Sequence, residues 1–340
     1  MNMIAAHPPR IGIMNQMWAQ PATQDREFIR TAIDEIKLAD ALGFDSVWIG
    51  EHHLVKPNMK YYGRIPASEV FLSHVAALTP RINVGTGVKI LSSTSALRAA
   101  EEMSLLDILT DGRAEFGLGM GGTDITATIT RDEKIALYFE LLEDILRYLT
   151  GDRSTGLPAI VPSPSPDILS KIWVAARHLP TVEVAAQRGL NFVVGQAEIA
   201  SRQAPYVKHF KQSGGTGRTK GVRIAFVAET HREAVEQSEP AVRITYSQSA
   251  GRNYHQQAVA AGALPEQADT LEEIRRQMCF TAGTPQEVAD ELNAYIAETG
   301  VDQLDVMVQT PGVPTEAVKR SMKLIQDEVR PLLRFGSNHA

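Results

Sequence analysis

Short apolar runs alternate with amphipathic stretches along almost the whole chain, and this alternation limits the fold more than any other property of the sequence. The run Ile11-Gly12-Ile13-Met14-Asn15 reads as a buried strand. Residues 25–42 follow, with Phe28, Ile29, Ala32, Ile33, Ile36 and Ala39 recurring at helical spacing. Gly43 supplies a helix stop, and Phe44-Asp45-Ser46-Val47-Trp48-Ile49-Gly50 begins one residue later. A strand, a helix and a second strand joined in this way favour parallel pairing. The pattern continues with helices expected over 67–78, 96–109 and 132–149 and strands over 82–88 and 113–119. After a Pro-, Gly- and Ser-rich connection at 150–166, strands are expected over 171–176, 191–194 and 222–227, and helices over 181–188 and 199–212. From about 247 to 282 a polar, Gln- and Gly-containing segment interrupts the alternation, too long for an ordinary strand-to-helix loop, and reads as a lid or active-site insertion. Thr284-Pro285-Gln286-Glu287 then carries a capping-box pattern with Pro at the first helical position, opening a helix to about 297. A strand over 303–308 and a helix over 315–333 close the chain. Eight strands without a composition break favour one α/β domain over 1–340, a (β/α)8 TIM barrel with an insertion at about 247–282, rather than an open sheet.

Composition narrows the function. The 340 residues are 44% apolar and 22% charged, ordinary for a globular domain. The absence of a long apolar run, and of a basic and apolar leader in the first ten residues, leads us to expect a cytoplasmic protein without a membrane partner. A single cysteine, Cys279, leaves no internal disulfide and no cysteine-based metal cluster. A net charge of −6 without a basic stripe argues against nucleic acid as a partner, so an anionic ligand would need locally placed donors.

Barrel enzymes build their sites at the carboxyl ends of the strands. The residues there are Asn15-Gln16, Glu51-His52-His53, Gly87-Val88-Lys89, Gly119-Met120-Gly121-Gly122, Ala176-Arg177-His178, Gly195-Gln196 and Ala228-Glu229. Any one of these could be a turn residue; their concentration at one rim, with three histidines, points to a site. Extended side chains alternate, so Glu51 and His53 point one way and His52 the other. Gly117-Leu118-Gly119-Met120-Gly121-Gly122 fits a dinucleotide fingerprint only weakly: it follows the fourth strand, and the β-branched stretch 123–130 separates it from any helix. Glycines there suit the close approach of a flat ligand. Adjacent histidines on a strand cannot readily share one metal ion, which weakens a hydrolytic metal site. Ser92-Ser93-Thr94-Ser95 has no nucleophile elbow and reads as loop and N-cap. Arg177 and His178, just before the helix expected from Thr181, suit an anion. Met14, Trp18, Tyr61, Tyr62 and Met120 are candidate apolar or aromatic pocket residues.

Taken together, these stretches resemble the bacterial luciferase-like, flavin-dependent monooxygenases. The likeness rests on Phe44 to Trp48 with Glu51-His52-His53, on Asn83-Val84-Gly85-Thr86-Gly87, and on Ala100-Glu101-Glu102 with Leu106 to Arg113. It rests also on Phe116-Gly117-Leu118-Gly119, Thr181 to Leu190, and Thr284-Pro285-Gln286-Glu287-Val288. It covers nearly the whole chain and is weakest in the insertion. The resemblance implies a barrel that binds reduced FMN at its mouth and uses O2, through a C4a-(hydro)peroxyflavin, to oxygenate a small, largely apolar organic substrate. It implies His52 as a catalytic acid/base and a cis peptide between Gly87 and Val88 supporting the flavin ring. Gly119 stands where the luciferases carry a cysteine, and Arg177, His178 and Thr181 fall at the phosphate. Met120 stands where the luciferases have an arginine and Arg177 where they have a glutamate, which implies that the positive charge has moved from the fourth strand to the fifth. The resemblance further implies a separate NAD(P)H:flavin reductase and a homodimer. Its alternatives are deazaflavin-dependent hydride transfer and a non-catalytic flavin-binding relative.

Overall fold

A computed structural model describes residues 10–336, apart from 56–57, 122–128, 152–153, 155, 157, 197 and 250–252. The leaderless reading of residues 1–9 and the stretch 122–128 between the glycine run and the next helix therefore lie outside the described residues. The first strand, β1 (Ile11–Asn15), is buried throughout, and a short β2 (Trp18–Ala19) follows. Helix α1 (Asp25–Leu42) ends at Gly43, whose φ of 84° lets the Gly43 and Phe44 N–H groups turn back to the Asp40 and Ala39 carbonyls. The chain thus re-enters at β3 (Ser46–Ile49), parallel to β1 with Ile13 opposite Val47.

The alternation of strand and helix then continues. Next are β4 (Tyr62–Gly63), which pairs antiparallel with β2, then α2 (Ser68–Leu78), β5 (Asn83–Ile90) and α3 (Ala96–Leu109). Ser95 caps α3, as the sequence suggests, by accepting the Arg98 N–H. There follow β6 (Ala114–Gly119), α4 (Arg131–Thr150), β7 (Ile172–Ala175), α5 (Leu179–Gln187), β8 (Asn191–Val193), α6 (Ala200–Gln212) and β9 (Thr219–Val227). Strand β9 starts before the expected 222 because Thr219 and Lys220 carry the pairing to β8 and break the apolar run while doing so.

The interruption is largely regular structure. Helix α7 (His231–Ser249) begins well before residue 247, and α8 (Asn253–Ala260), α9 (Leu271–Gln277) and β10 (Phe280–Gly283) follow. Neither α7 nor β10 stands out in the sequence: α7 is diluted by charge and Pro240, and β10 has four residues. Strand β10 pairs with Ile224–Val227 of β9 on the edge opposite the final strand β11 (Gln303–Met307). Between them α10 (Pro285–Thr299) opens on the expected capping box of Thr284 and Glu287. The last helix, α11 (Thr315–Leu324), runs on into a π-helical turn.

Strands β1, β3, β5, β6, β7, β8, β9 and β11 pair in that order, and β11 returns to β1, so eight parallel strands close a barrel inside its helices. All crossovers run the same way, so every strand ends on one rim. The main core lies between strands and helices. A second cluster occupies the barrel interior, where Met14, Trp48, Trp173 and Val222 continue into Ala241 and Val242 of α7 and Ile274 of α9. The inserted helices thus pack on the interior of the same barrel. Among the described residues no helix is long and apolar enough to cross a membrane.

Candidate active site

A cavity of about 370 Å³ opens at the carboxyl rim, within the range of small-molecule sites. One wall is β5 and β6: Thr86, Gly87 and Val88 face Gly117 and Gly121. The Gly87–Val88 peptide is cis. A Cβ on Gly87 would come within 2.9 Å of Met14 Cε, and one on Gly117 would strike the Thr86 carbonyl oxygen. Gly117 is thus required by the close approach of β5 to β6, and Gly87 by its packing against Met14. Met14, Gln16, Arg177 and Gln196 complete the mouth, and Trp48, Lys220 and Asp305 form the floor. A wider depression of about 790 Å³ between α6 and α10 lies on the outer helical layer, away from this rim.

His52 stands behind Gln16. Its Nε2 lies 2.9 Å from Gln16 Oε1, and Gln16 Nε2 donates to Gln196 Oε1 at 2.8 Å. An amide whose nitrogen donates to Gln196 offers only its oxygen to His52, so the neutral imidazole carries its proton on Nε2. The ring is packed so closely over Gly63 of β4 that a Cβ there would overlap it. Trp18 lies beside it, with ring centroids 6.4 Å apart, and packs at a tilt on Tyr61 at 4.7 Å.

Glu51 and His53 turn the other way, although all three residues lie past the end of β3 at Ile49. His53 Nε2 and Ser93 Oγ both reach Glu51 Oε1, at 2.8 and 2.9 Å. Burial pushes the Glu51 carboxyl above its ordinary range, against the pull of His53, Lys89 and Ser93. Behind it Lys89, buried at the end of β5, bridges Glu69 of α2 at 2.7 Å and Glu102 of α3 at 2.8 Å. Burial lowers the Lys89 ammonium, but the two carboxylates outweigh it and hold the group above its ordinary value.

On the far side His178 is the N-cap of α5, with its Nδ1 3.2 Å from Thr181 Oγ1. The Arg177 guanidinium lies against Gly195, and its Nε is 3.6 Å from the buried carboxylate of Glu198, which Arg202 also engages at 3.0 Å. Of the residues singled out from sequence, Met14, Gln16, Gly87, Val88, Gly121, Arg177, Gly195 and Gln196 line the cavity. Gly119 packs on Val88, and His178 and Thr181 stand together at the head of α5. His52 reaches the cavity through Gln16. Trp18, Tyr61, Tyr62 and Met120 are not part of its described lining. Lys220 and Asp305 escaped the sequence reading, though a charged residue inside a barrel strand is a usable sign of an interior polar partner.

The sequence model of the luciferase-like monooxygenases matches residues 10–303. The chain belongs to that family. Its relatives include the N-acetyl-S-alkylcysteine monooxygenase of Bacillus subtilis, 23% identical over 94% of this luciferase-like chain and 98% of that protein. Two solved structures share the fold. The oxygenating constituent of 3,6-diketocamphane monooxygenase from Pseudomonas putida, in complex with FMN, superposes with a TM-score of 0.75 at 18% identity, over 97% of this chain and 99% of the other. The coenzyme F420-dependent tetrahydromethanopterin reductase of Methanopyrus kandleri superposes at 0.67 and 18%, over 96% and all of that chain. At that identity the likeness concerns the barrel alone. Membership makes this luciferase-like protein a flavin-dependent monooxygenase or oxidoreductase.

Proposed function

We propose that the chain binds reduced FMN in the rim cavity and oxygenates a small organic substrate with O2, receiving its flavin from a separate NAD(P)H:flavin reductase. The observation that carries this reading is the wall of Gly87, Val88 and Gly117 that lines the cavity at the cis peptide, where Val88 alone of the three carries a side chain. When bound, reduced flavin supplies the two electrons with which O2 becomes one substrate oxygen and one water. The chain supplies the rest. Gly87, Val88 and Gly117 receive the ring, with Gly119 behind Val88 and Met120 beside the strand end. His178 and Thr181 offer an imidazole and a hydroxyl at the head of α5 for the phosphate, and Arg177, whose guanidinium lies against Gly195 and Glu198, offers a cation from the neighbouring strand end. His52 holds a proton on Nε2 and presents it to the cavity edge through Gln16, and α7 and α9 exclude water from the interior.

The test is anaerobic mixing of the purified protein with reduced FMN, followed by isotopically labelled O2 and a panel of small apolar and aromatic compounds. One labelled oxygen atom should appear in a product, sustained turnover should require an added reductase, and oxidised FMN should lose fluorescence on binding. Tight binding of F420 with hydride transfer and no label uptake would replace this reading with the deazaflavin one. Flavin binding without any turnover would make the chain a carrier.

A further inference from the structure

The cavity floor holds charge where a barrel interior usually holds aliphatic side chains. Lys220 and Asp305 are each 2% exposed, both line the cavity, and Lys220 Nζ lies 2.7 Å from Asp305 Oδ2. The ammonium sits 3.0 Å from the Trp48 ring centroid and 4.6 Å from that of Trp173. Both indoles are fixed: Trp48 Nε1 donates to Ser46 Oγ at 2.9 Å, Trp173 Nε1 donates to Glu115 Oε2 at 2.6 Å, and the two rings meet edge to face at 5.8 Å. Desolvating such a pair costs several kcal/mol per ion, on the order of what its attraction returns, so packing alone does not call for it. An ammonium has three donors. Asp305 lies at ion-pair distance and the Trp48 face covers a second side, while both Lys220 and Asp305 line the cavity and so can meet its occupant.

We propose that Lys220 and Asp305 together recognise an imide edge, the alternating carbonyl and N–H of a flavin's pyrimidine ring, with Lys220 donating to the carbonyl and Asp305 accepting from the N–H. A carboxylate would meet Lys220 but be repelled by Asp305 beside it; an imide complements both. The inference rests on the flavin reading and holds for FMN and deazaflavin alike, since both rings carry that edge. It also gives Lys220 a consequence for the electron balance. A buried ammonium beside the pyrimidine ring favours the anionic reduced flavin over the neutral oxidised one and so raises the reduction potential of the bound ring.

The experiment compares wild type with Lys220→Met, Lys220→Arg and Asp305→Asn. It titrates oxidised FMN, lumiflavin and 3-methyllumiflavin, and measures the midpoint potential of bound FMN. Wild type should bind 3-methyllumiflavin, which lacks the N–H, at least tenfold more weakly than lumiflavin, and Asp305→Asn should narrow that gap. Lys220→Met should weaken FMN tenfold or more and lower its potential, with Lys220→Arg restoring much of the loss. Equal wild-type affinity for the two lumiflavins, or an unchanged potential in a folded Lys220→Met, overturns the proposal. Should both lysine variants fail to fold, the wild-type comparison of the two lumiflavins decides. If wild type binds FMN but ignores the methyl group, the imide site alone is wrong. If wild type binds no flavin, the functional reading falls and this one with it.

Discussion

At the scale of single residues, His52 and His53 are adjacent in the chain and opposite in consequence. His52 faces Gln16 and the cavity edge, whereas His53 is tied to Glu51 on the outer side of the strand end. Replacing His52 with Ala should lower turnover on a substrate found in the panel by about 10²–10⁴-fold, the usual worth of a positioned proton donor or acceptor, while FMN affinity changes little. His53→Ala should cost far less turnover. Equal losses from the two would mean the pair is assigned wrongly. Gly63 supplies a second check, because the His52 ring occupies the space a Cβ would need. Gly63→Ala should cost about 1–3 kcal/mol in urea unfolding, the range for overpacking, and reproduce part of the His52→Ala defect. The separation of the two histidines agrees with the alternation expected of an extended run, although both lie past the end of β3. Gln16 was legible only as a strand-end residue, because its partners stand 36 and 180 positions away and no local pattern links them.

Among elements, two buried acids set how helices hold the barrel. Glu35 of α1 faces Lys319 of α11, and burial raises its pKa from 4.5 to about 8, with Lys319 pulling it down and Asp34 and Glu316 adding to the rise. Between pH 4.5 and about 8 the folded chain therefore keeps a proton that the unfolded chain has lost. Stability should fall as pH rises through that window, by up to about 1.4 kcal/mol per unit, and level off above it. Glu35→Gln should flatten this slope and stabilise the protein at pH 8; urea midpoints of both proteins at pH 5 and pH 8 measure it, and parallel slopes would contradict it. The Lys89 bridge works in the opposite sense. Glu69→Ala leaves the buried Lys89 ammonium paired with Glu102, so it should cost less than the about 3–5 kcal/mol of an uncompensated buried charge, and Glu69→Ala combined with Glu102→Ala should approach that range in the same assay. Most elements were readable in advance. Helix α3 has the bounds its apolar period gives, and the Thr284 capping box opens α10 as its pattern requires. Helix α7 and strand β10 were not, because one is diluted by charged residues and the other owes its existence to a long-range pairing with β9.

For the whole molecule, two surfaces follow from how the barrel is finished. Val70 and Leu78 on α2 and Leu97, Leu105, Ile108 and Leu109 on α3 are exposed apolar side chains on neighbouring helices, which supports the homodimer the family resemblance implies. Sedimentation should give a mass twice the monomer's 37.2 kDa, and Ile108→Glu should shift it to one. The second surface is the crossing of the mouth. Gln248, near the end of α7, accepts the Lys60 and Tyr61 N–H groups at 2.7 and 2.9 Å and donates to the Tyr61 carbonyl at 2.8 Å. One amide thus straps the inserted helices to the segment that leads into β4 and the His52 ring. Each such bond is worth about 1 kcal/mol, so losing the three should raise local opening by roughly tenfold or more. Gln248→Ala should speed hydrogen exchange at the Lys60 and Tyr61 amides to that extent while leaving exchange in β1 and β6 unchanged. It should also speed release of bound FMN, since the two sides of the mouth would then move independently. Unchanged exchange at those two amides would show that the crossing is held by packing of α7 and α9 on the barrel interior rather than by this side chain.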